Sequence, residues 1–153
     1  MNIKEQFQMV IDLGMKLPNL KIKNIDDNGN IDMLYVAKES DYRLGGYISG
    51  PVQMALADVS MYFTVLLKKG LVLDSSTVSL NCQFLEPAKV EQLRIRAHCN
   101  RAGNRLAFGN VDILSVDDDT IFSQSTVIFS IGKKVYDFDS LVEEYYKKQG
   151  INP

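Results

Sequence analysis

The 153-residue sequence has no tryptophan, one histidine, two cysteines and four prolines. Each shortage removes a class of function. With His98 alone, a multi-histidine zinc site within one chain is excluded. Any Ser–His–Asp or Cys–His device would have to use that same residue. Cys82 and Cys99 are too few and too far apart for a metal motif. Without a secretory signal they are expected to be two reduced, buried thiols. An excess of positive charge is missing as well. Lys and Arg number 17 against 19 Asp and Glu, a formal net charge of −2, whereas a nucleic-acid binder carries a basic stripe. The first residues have neither an apolar signal core nor the Arg-rich character of a transit peptide. A cytoplasmic protein that engages no nucleic acid and no membrane is the expectation.

What is present is ordinary for a soluble domain: 46% hydrophobic and 24% charged residues. The length suits a single domain over residues 1–153, with enough chain to bury a core without staples. From Ile3 to Leu17, apolar residues at Ile3, Phe7, Val10, Ile11 and Met15 follow helical spacing, and Pro18 stops the helix. Leu20 to Ile25 and Ile31 to Val36 flank the turn Asp27-Asn-Gly-Asn and predict a hairpin.

The loop Gly45 to Pro51 opens directly into an apolar segment from Val52 to Leu67. Ser49 is the candidate N-cap, Pro51 suits the first helical turn, and Lys68-Lys-Gly closes the helix in the way its dipole favours. So apolar a helix should be buried nearly all round. As a membrane span it falls short of roughly 20 uninterrupted apolar residues and contains Asp58. Beyond it the period changes to two. Val78, Leu80, Cys82 and Phe84 alternate with polar residues, as do Leu93, Ile95, Ala97 and Cys99, and two further strands follow over Leu106–Val116 and Thr120–Ile131. Tight turns link the last three into an antiparallel meander, each strand with one buried face. A short helix from about Phe138 to Lys148 should dock through Leu141 and Tyr145. The order is α+β. A single apolar helix needs covering on every side, and a curved antiparallel sheet wrapped around it supplies the cover.

Asp58 is the most informative residue. Its neighbours one turn away are Met54, Ala55, Met61 and Tyr62, and a carboxylate in such surroundings is costly unless paired or hydrated. It is either a functional group with a raised pKa, or a satisfied core residue, or a residue where the helix meets solvent. Ser49-Gly-Pro marks a helix N-terminus, whose free N–H groups and positive dipole end can polarise a carbonyl as charge develops on its oxygen. Gly50 permits close backbone approach, while a plain cap followed by proline would look the same. Thr77 begins the strand after the Asp74-Ser-Ser turn, where its hydroxyl could hold a water or serve only as a β-favouring residue. His98 shares a strand face with Arg94 and Arg96, a solvent-side pattern. Arg101, Arg105, Lys133 and Lys134 fall at turns and strand ends, where they could meet phosphates, though solvated charges are the usual reading.

The segment Gly46-Tyr-Ile-Ser-Gly-Pro-Val-Gln-Met-Ala-Leu-Ala-Asp resembles the signature of the hotdog-fold acyl-CoA thioesterases of the phenylacetate-degradation type. There a His-Gly-Gly loop opens the central helix and an acid follows in a Leu-Ala-Asp-like context. The run from Thr77 to Ala88, with Phe-Leu-Glu-Pro-Ala, is similar to the family's next strand, and the likeness extends from about Phe7 to Ile131. The resemblance implies a hotdog fold, a homo-oligomer (homodimer or homotetramer) with active sites at the subunit interface, an acyl-CoA substrate, and no metal or redox cofactor. It implies catalytic roles for Asp58 as general base or nucleophile, for the Gly50 N–H as oxyanion donor, and for Thr77 as a positioner of the attacking water. Arg43 falls where members carry an amide, Ser49 where they carry the loop His, and Pro51 where they carry the second loop Gly. With Met54 and Tyr62, these three form the implied substrate-binding set. A non-catalytic protein that keeps the pocket and binds acyl-CoA is the alternative.

Overall fold

The computed structural model describes residues 1–152. Helix α1 (Ile3–Val10) begins at a capping box. The Asn2 side chain accepts from the Glu5 N–H at 2.9 Å, and the Glu5 carboxylate accepts from the Asn2 N–H at 3.1 Å. The helix then widens into a π-helical turn over Ile11–Met15 and stops at Lys16, which takes a left-handed conformation with φ of 51°. It therefore ends short of Leu17, where the periodicity placed its last turn. Strands β1 (Leu20–Ile25) and β2 (Asn30–Val36) form the expected hairpin. A small ribbon of β3 (Tyr42–Arg43) and β4 (Tyr47–Ile48) leads into helix α2 (Gly50–Lys69). Strands β5 (Ser76–Phe84), β6 (Gln92–Ala102), β7 (Leu106–Ser115) and β8 (Ile121–Ser130) follow, and α3 (Phe138–Lys148) comes last.

Six strands make one antiparallel sheet in the order β1-β2-β6-β7-β8-β5. The meander β6-β7-β8 is as expected, while β5 crosses to the far edge and pairs with β8. Register shifts after Ile22, Thr77, Cys99 and Ile113 mark bulges. Each adds local twist, and together they bend the sheet around α2. The inner face of β6 shows the result: Leu93, Ile95, Ala97 and Cys99 are buried while Arg94, Arg96 and His98 alternate on the other side. Facing them, Leu56, Met61, Phe63, Val65 and Leu66 of α2 are 0–2% exposed. Full burial of a side chain of this size contributes roughly 1.5–3 kcal/mol.

Helix and sheet approach closely at Gly109 of β7. A Cβ there would fall 2.5 Å from the His98 carbonyl oxygen, and closer still to the Met61 sulfur. The missing side chain is what lets Met61 lie flat on the strand. Gly109→Ala is expected to destabilise the fold by about 2–3 kcal/mol through overpacking, lowering Tm by roughly 5–10 °C. Thermal denaturation followed by circular dichroism measures it, and an unchanged Tm would contradict this packing.

Two expectations need correction. Helix α2 is not buried all round. Pro51, Met54 and Ala55 are exposed, and Asp58, Val59 and Tyr62 are half-buried. These positions repeat at three- and four-residue intervals, so they form one uncovered stripe. Strand β5 does not bury a face either: Val78 is 59% and Phe84 50% exposed. Within one chain both apolar faces lie open side by side. By length and composition α2 is the one helix, among the described residues, able to cross a membrane, and half of it is buried against its own sheet.

Candidate active site

The loop that launches α2 is held before the helix begins. Asp41 is buried, and its carboxylate accepts from the Tyr35 hydroxyl at 2.6 Å and from the Lys38 N–H at 2.9 Å. Its carbonyl oxygen accepts from the Ser49 N–H at 2.9 Å. Burial, with the Asp41 carboxylate beside it, pushes the Tyr35 phenol above its ordinary range, so it stays a donor. From the next residue back, the Ile48 N–H donates to Ala88 at 3.0 Å, and the Gln53 amide donates to the Ile48 carbonyl at 3.3 Å. Ser49 caps α2, its hydroxyl accepting from the Val52 N–H at 3.4 Å.

Gly50 is the first helical residue and Pro51 the second. The residue before a proline is pushed out of the helical region partly by its own Cβ, which glycine lacks. A Cβ at Gly50 would also sit 3.0 Å from the Phe84 ring. With the Ser49 and Val52 N–H groups engaged, the Gly50 N–H is left without a partner among the described residues. Gly50 helps to line a groove of 540 Å³ with Arg43, Tyr47, Gln53 and the run Phe84–Ala88. Arg43 is exposed, its guanidinium carbon 5.6 Å from the Tyr47 ring centre, and the Lys89 ammonium lies 4.6 Å from the same ring. Two cations thus share one aromatic ring beside the groove.

Asp58 stands eight residues further along the same helix. Its carboxylate accepts a hydrogen bond of 2.5 Å from the Thr77 hydroxyl. The β5 bulge falls directly after Thr77, and bulges beside sites re-aim side chains. Asp58 is half-buried and Thr77 exposed, which replaces the expectation of a carboxylate sunk among apolar neighbours. The carboxylate stands where the helix meets solvent and is paired there with the Thr77 hydroxyl. One turn on, Tyr62 donates its hydroxyl to the Leu73 carbonyl at 2.7 Å. Burial first, then the nearby Asp74 and Tyr136, push this phenol up to about 12. Tyr62 is therefore a neutral donor and does not exchange protons near neutrality.

The structure gathers the sequence-selected residues into two groups on α2. Arg43, Ser49, Gly50 and Pro51 stand at its N-terminus; Asp58, Thr77 and Tyr62 stand along its middle, with Met54 on the uncovered stripe between them. Eight residues of helix separate Gly50 from Asp58 by about 12 Å along the axis. One chain cannot aim both at one carbonyl group. His98 joins neither group. It is half-buried on the sheet face away from α2, paired in register with Asn30 and Asn110, and its Nδ1 is buried without a partner among the described residues. Cys82 and Cys99 are both free; Cys99 is buried, with its thiol pushed up by that burial, but Cys82 is only half-buried because β5 is an edge. Asp41, Tyr35 and Gln53 escaped sequence reasoning. A single Asp after a Lys-Glu-Ser run carries no signal of the loop it anchors.

The sequence pattern of the thioesterase superfamily matches residues 45–122, just over half of the chain, and the chain belongs to that superfamily. The architecture is the hotdog fold. Zebrafish thioesterase superfamily member 2 superposes with a TM-score of 0.73 at 19% identity, over 85% of this chain and 96% of that one. A Silicibacter protein provisionally named a thioesterase gives a TM-score of 0.73 at 25% identity, over 85% and 92%. A phenylacetic acid degradation-related protein of Ralstonia eutropha gives 0.68 at 23% identity, over 81% and 89%. By sequence, a Thermoplasma acidophilum protein provisionally named an esterase is 29% identical over 89 residues, or 58% of this chain and 65% of that one. The match thus spans just under two thirds of that relative's length.

Proposed function

We propose that this protein hydrolyses acyl-CoA thioesters as a homo-oligomer, with Asp58 as general base or nucleophile and the Gly50 N–H of a second copy as oxyanion donor. The observation that carries the reading is the paired, accessible Asp58 carboxylate together with a free helix-terminal N–H on the same helix. Membership of the thioesterase superfamily supports the reaction class. Thr77 donates to one carboxylate oxygen and leaves the other open to a water or to the acyl carbon. In the general-base route, that oxygen takes a proton from water as the hydroxide adds to the carbonyl carbon. The negative charge that forms on the carbonyl oxygen lies against the Gly50 N–H at the positive end of α2. Collapse breaks the C–S bond, and the proton held by Asp58 passes to the departing thiolate. In the nucleophilic route, Asp58 itself adds to the carbonyl, the C–S bond breaks and CoA leaves as the thiolate, which takes a proton from water. A second water then hydrolyses the mixed anhydride, giving the free acid and the Asp58 carboxylate.

The 12 Å separation and the uncovered stripe support a second copy. Two α2 helices packed antiparallel by a two-fold axis near Met54 place residue 50 of one beside residue 58 of the other. The same arrangement covers the open faces of α2 and β5. Arg43 and Lys89, beside the groove at Gly50, are suited to the phosphates of CoA or to an acidic acyl group.

Two observations favour a binding protein instead. Ser49, standing where the family has its loop His, has its hydroxyl engaged in the helix cap, and Arg43 replaces an amide whose role a guanidinium cannot fill unchanged. A panel of acyl-CoAs assayed by thiol release separates the two. The hydrolase reading predicts a kcat/KM of about 10⁴ M⁻¹ s⁻¹ or more on the best substrate. Tight binding without thiol release across the panel supports the binder.

A further inference from the structure

A cavity of 220 Å³ lies between the π-helical turn after α1, helix α3 and the middle of α2, lined by Leu13, Gly14, Tyr62, Leu73, Leu141 and Tyr145 among others. We propose that this cavity is the acyl pocket of the Asp58 cleft and that it takes an aryl group or an alkyl chain of about six to nine carbons. The proposal rests on the thioester reading of Asp58. Two cross-links between α2 and the chain segment 73–77 set the geometry. Asp58 is bonded to Thr77, and one helical turn on, Tyr62 is bonded to Leu73. They are successive rungs of one cleft, and Tyr62 and Leu73 are also walls of the cavity. A carbonyl group held at the first rung therefore points its chain past the second and into the cavity.

The flanking elements are shaped for an occupant. The turn Ile11–Met15 is widened relative to an α-helix, a local feature common at functional sites. Gly14 in that turn faces the cavity with no side chain to fill it. Helix α3 docks through Leu141, Val142 and Tyr145, yet none of its residues is fully buried. Its apolar face borders an empty space and is only half-covered for that reason. The walls offer no charge and only two hydroxyls, of which that of Tyr62 is already engaged, so a charged or polyhydroxylated acyl group would lose most of its hydration with at most Tyr145 to replace it. A dry apolar cavity of about 150 Å³ accepts benzene. This pocket is larger but open on one side, with Gly14 exposed at its rim, and has room for a phenyl group or a chain of about six to nine carbons.

The test uses S-alkyl CoA thioethers of one to twelve carbons, which bind without turning over, measured by calorimetry on the full chain. Affinity is expected to rise about three- to fourfold per methylene and to level off at about six to nine carbons. Leu141→Trp, which fills the cavity, should lower affinity for the octyl and phenethyl thioethers at least tenfold and leave the methyl thioether within twofold. Leu141→Ala should move the plateau one or two carbons longer. A chain-length series unchanged by both variants, or lowered equally at every length by Leu141→Trp, overturns the pocket. Absent turnover of acyl-CoA by a protein that shows the predicted thioether series overturns the hydrolase reading and leaves the pocket standing. Normal turnover with a flat thioether series does the reverse.

Discussion

Asp58→Asn should lower kcat for thioester hydrolysis by about 10³-fold, within the range for loss of a positioned base, while acyl-CoA affinity changes by less than threefold and Tm stays within a few degrees. The reasons lie in the pair that Asp58 makes. Asparagine has the same shape, and its amide oxygen can still accept from the Thr77 hydroxyl. Position 58 is only half-buried, so exchanging a charge for an amide leaves no stranded group in the core. What asparagine cannot do is take a proton from water or add to an acyl carbon, so both routes stop. Stopped-flow and steady-state thiol release give kcat, and calorimetry with a thioether gives affinity. A rate in Asp58→Asn equal to that of the native protein would remove Asp58 from the chemistry.

How much of this was legible in the sequence depends on the range of the interaction that fixes each feature. Helix α2 was readable because its signals are local: Ser49 at the cap, Pro51 in the first turn, Lys68, Lys69 and Gly70 at the end. The structure has that cap and that terminus. The β6-β7-β8 meander was readable because period two and short turns fix it. The exposure of α2 and β5 was not. An apolar stripe reads the same whether its own chain or a second copy covers it, so the pattern at Val78, Phe84 and Met54 predicted burial where the single chain leaves them open.

The pairing of Asp58 with Thr77 was out of reach for a different reason. The two residues lie 19 positions apart, on a helix and a sheet edge, and a bulge after Thr77 accompanies the contact. Composition could not announce a bulge. The anchoring of the loop by Asp41, and the cavity between the widened turn and α3, depend likewise on three or more elements meeting. The resemblance carried over Asp58, Gly50 and Thr77 as single positions, and the structure adds that Asp58 and Thr77 touch while Gly50 lies two turns away.

That separation leads to the second large effect, the loss and recovery of activity on mixing. Gly50→Pro removes the N–H at the first helical position. Because its Cβ would meet the Phe84 ring at 3.0 Å and Pro51 follows it, it is made together with Phe84→Ala, with Phe84→Ala alone as its control, and some loss of stability is expected. Removing one oxyanion donor costs about 10²–10³-fold, so Gly50→Pro and Asp58→Asn should each be nearly inactive alone. If each site draws Gly50 from one copy and Asp58 from its partner, a mixed dimer carries one site with both native residues and one with neither. Statistical reassembly then makes half of the dimers mixed, each with half of its sites intact. The decisive measurement is thiol release after the two variants are unfolded together, refolded together and compared with each refolded alone. Recovery to roughly a quarter of native activity in the mixture is the predicted result. Two variants that each fold cooperatively, reassemble as mixed oligomers and regain no activity would contradict a site shared between copies.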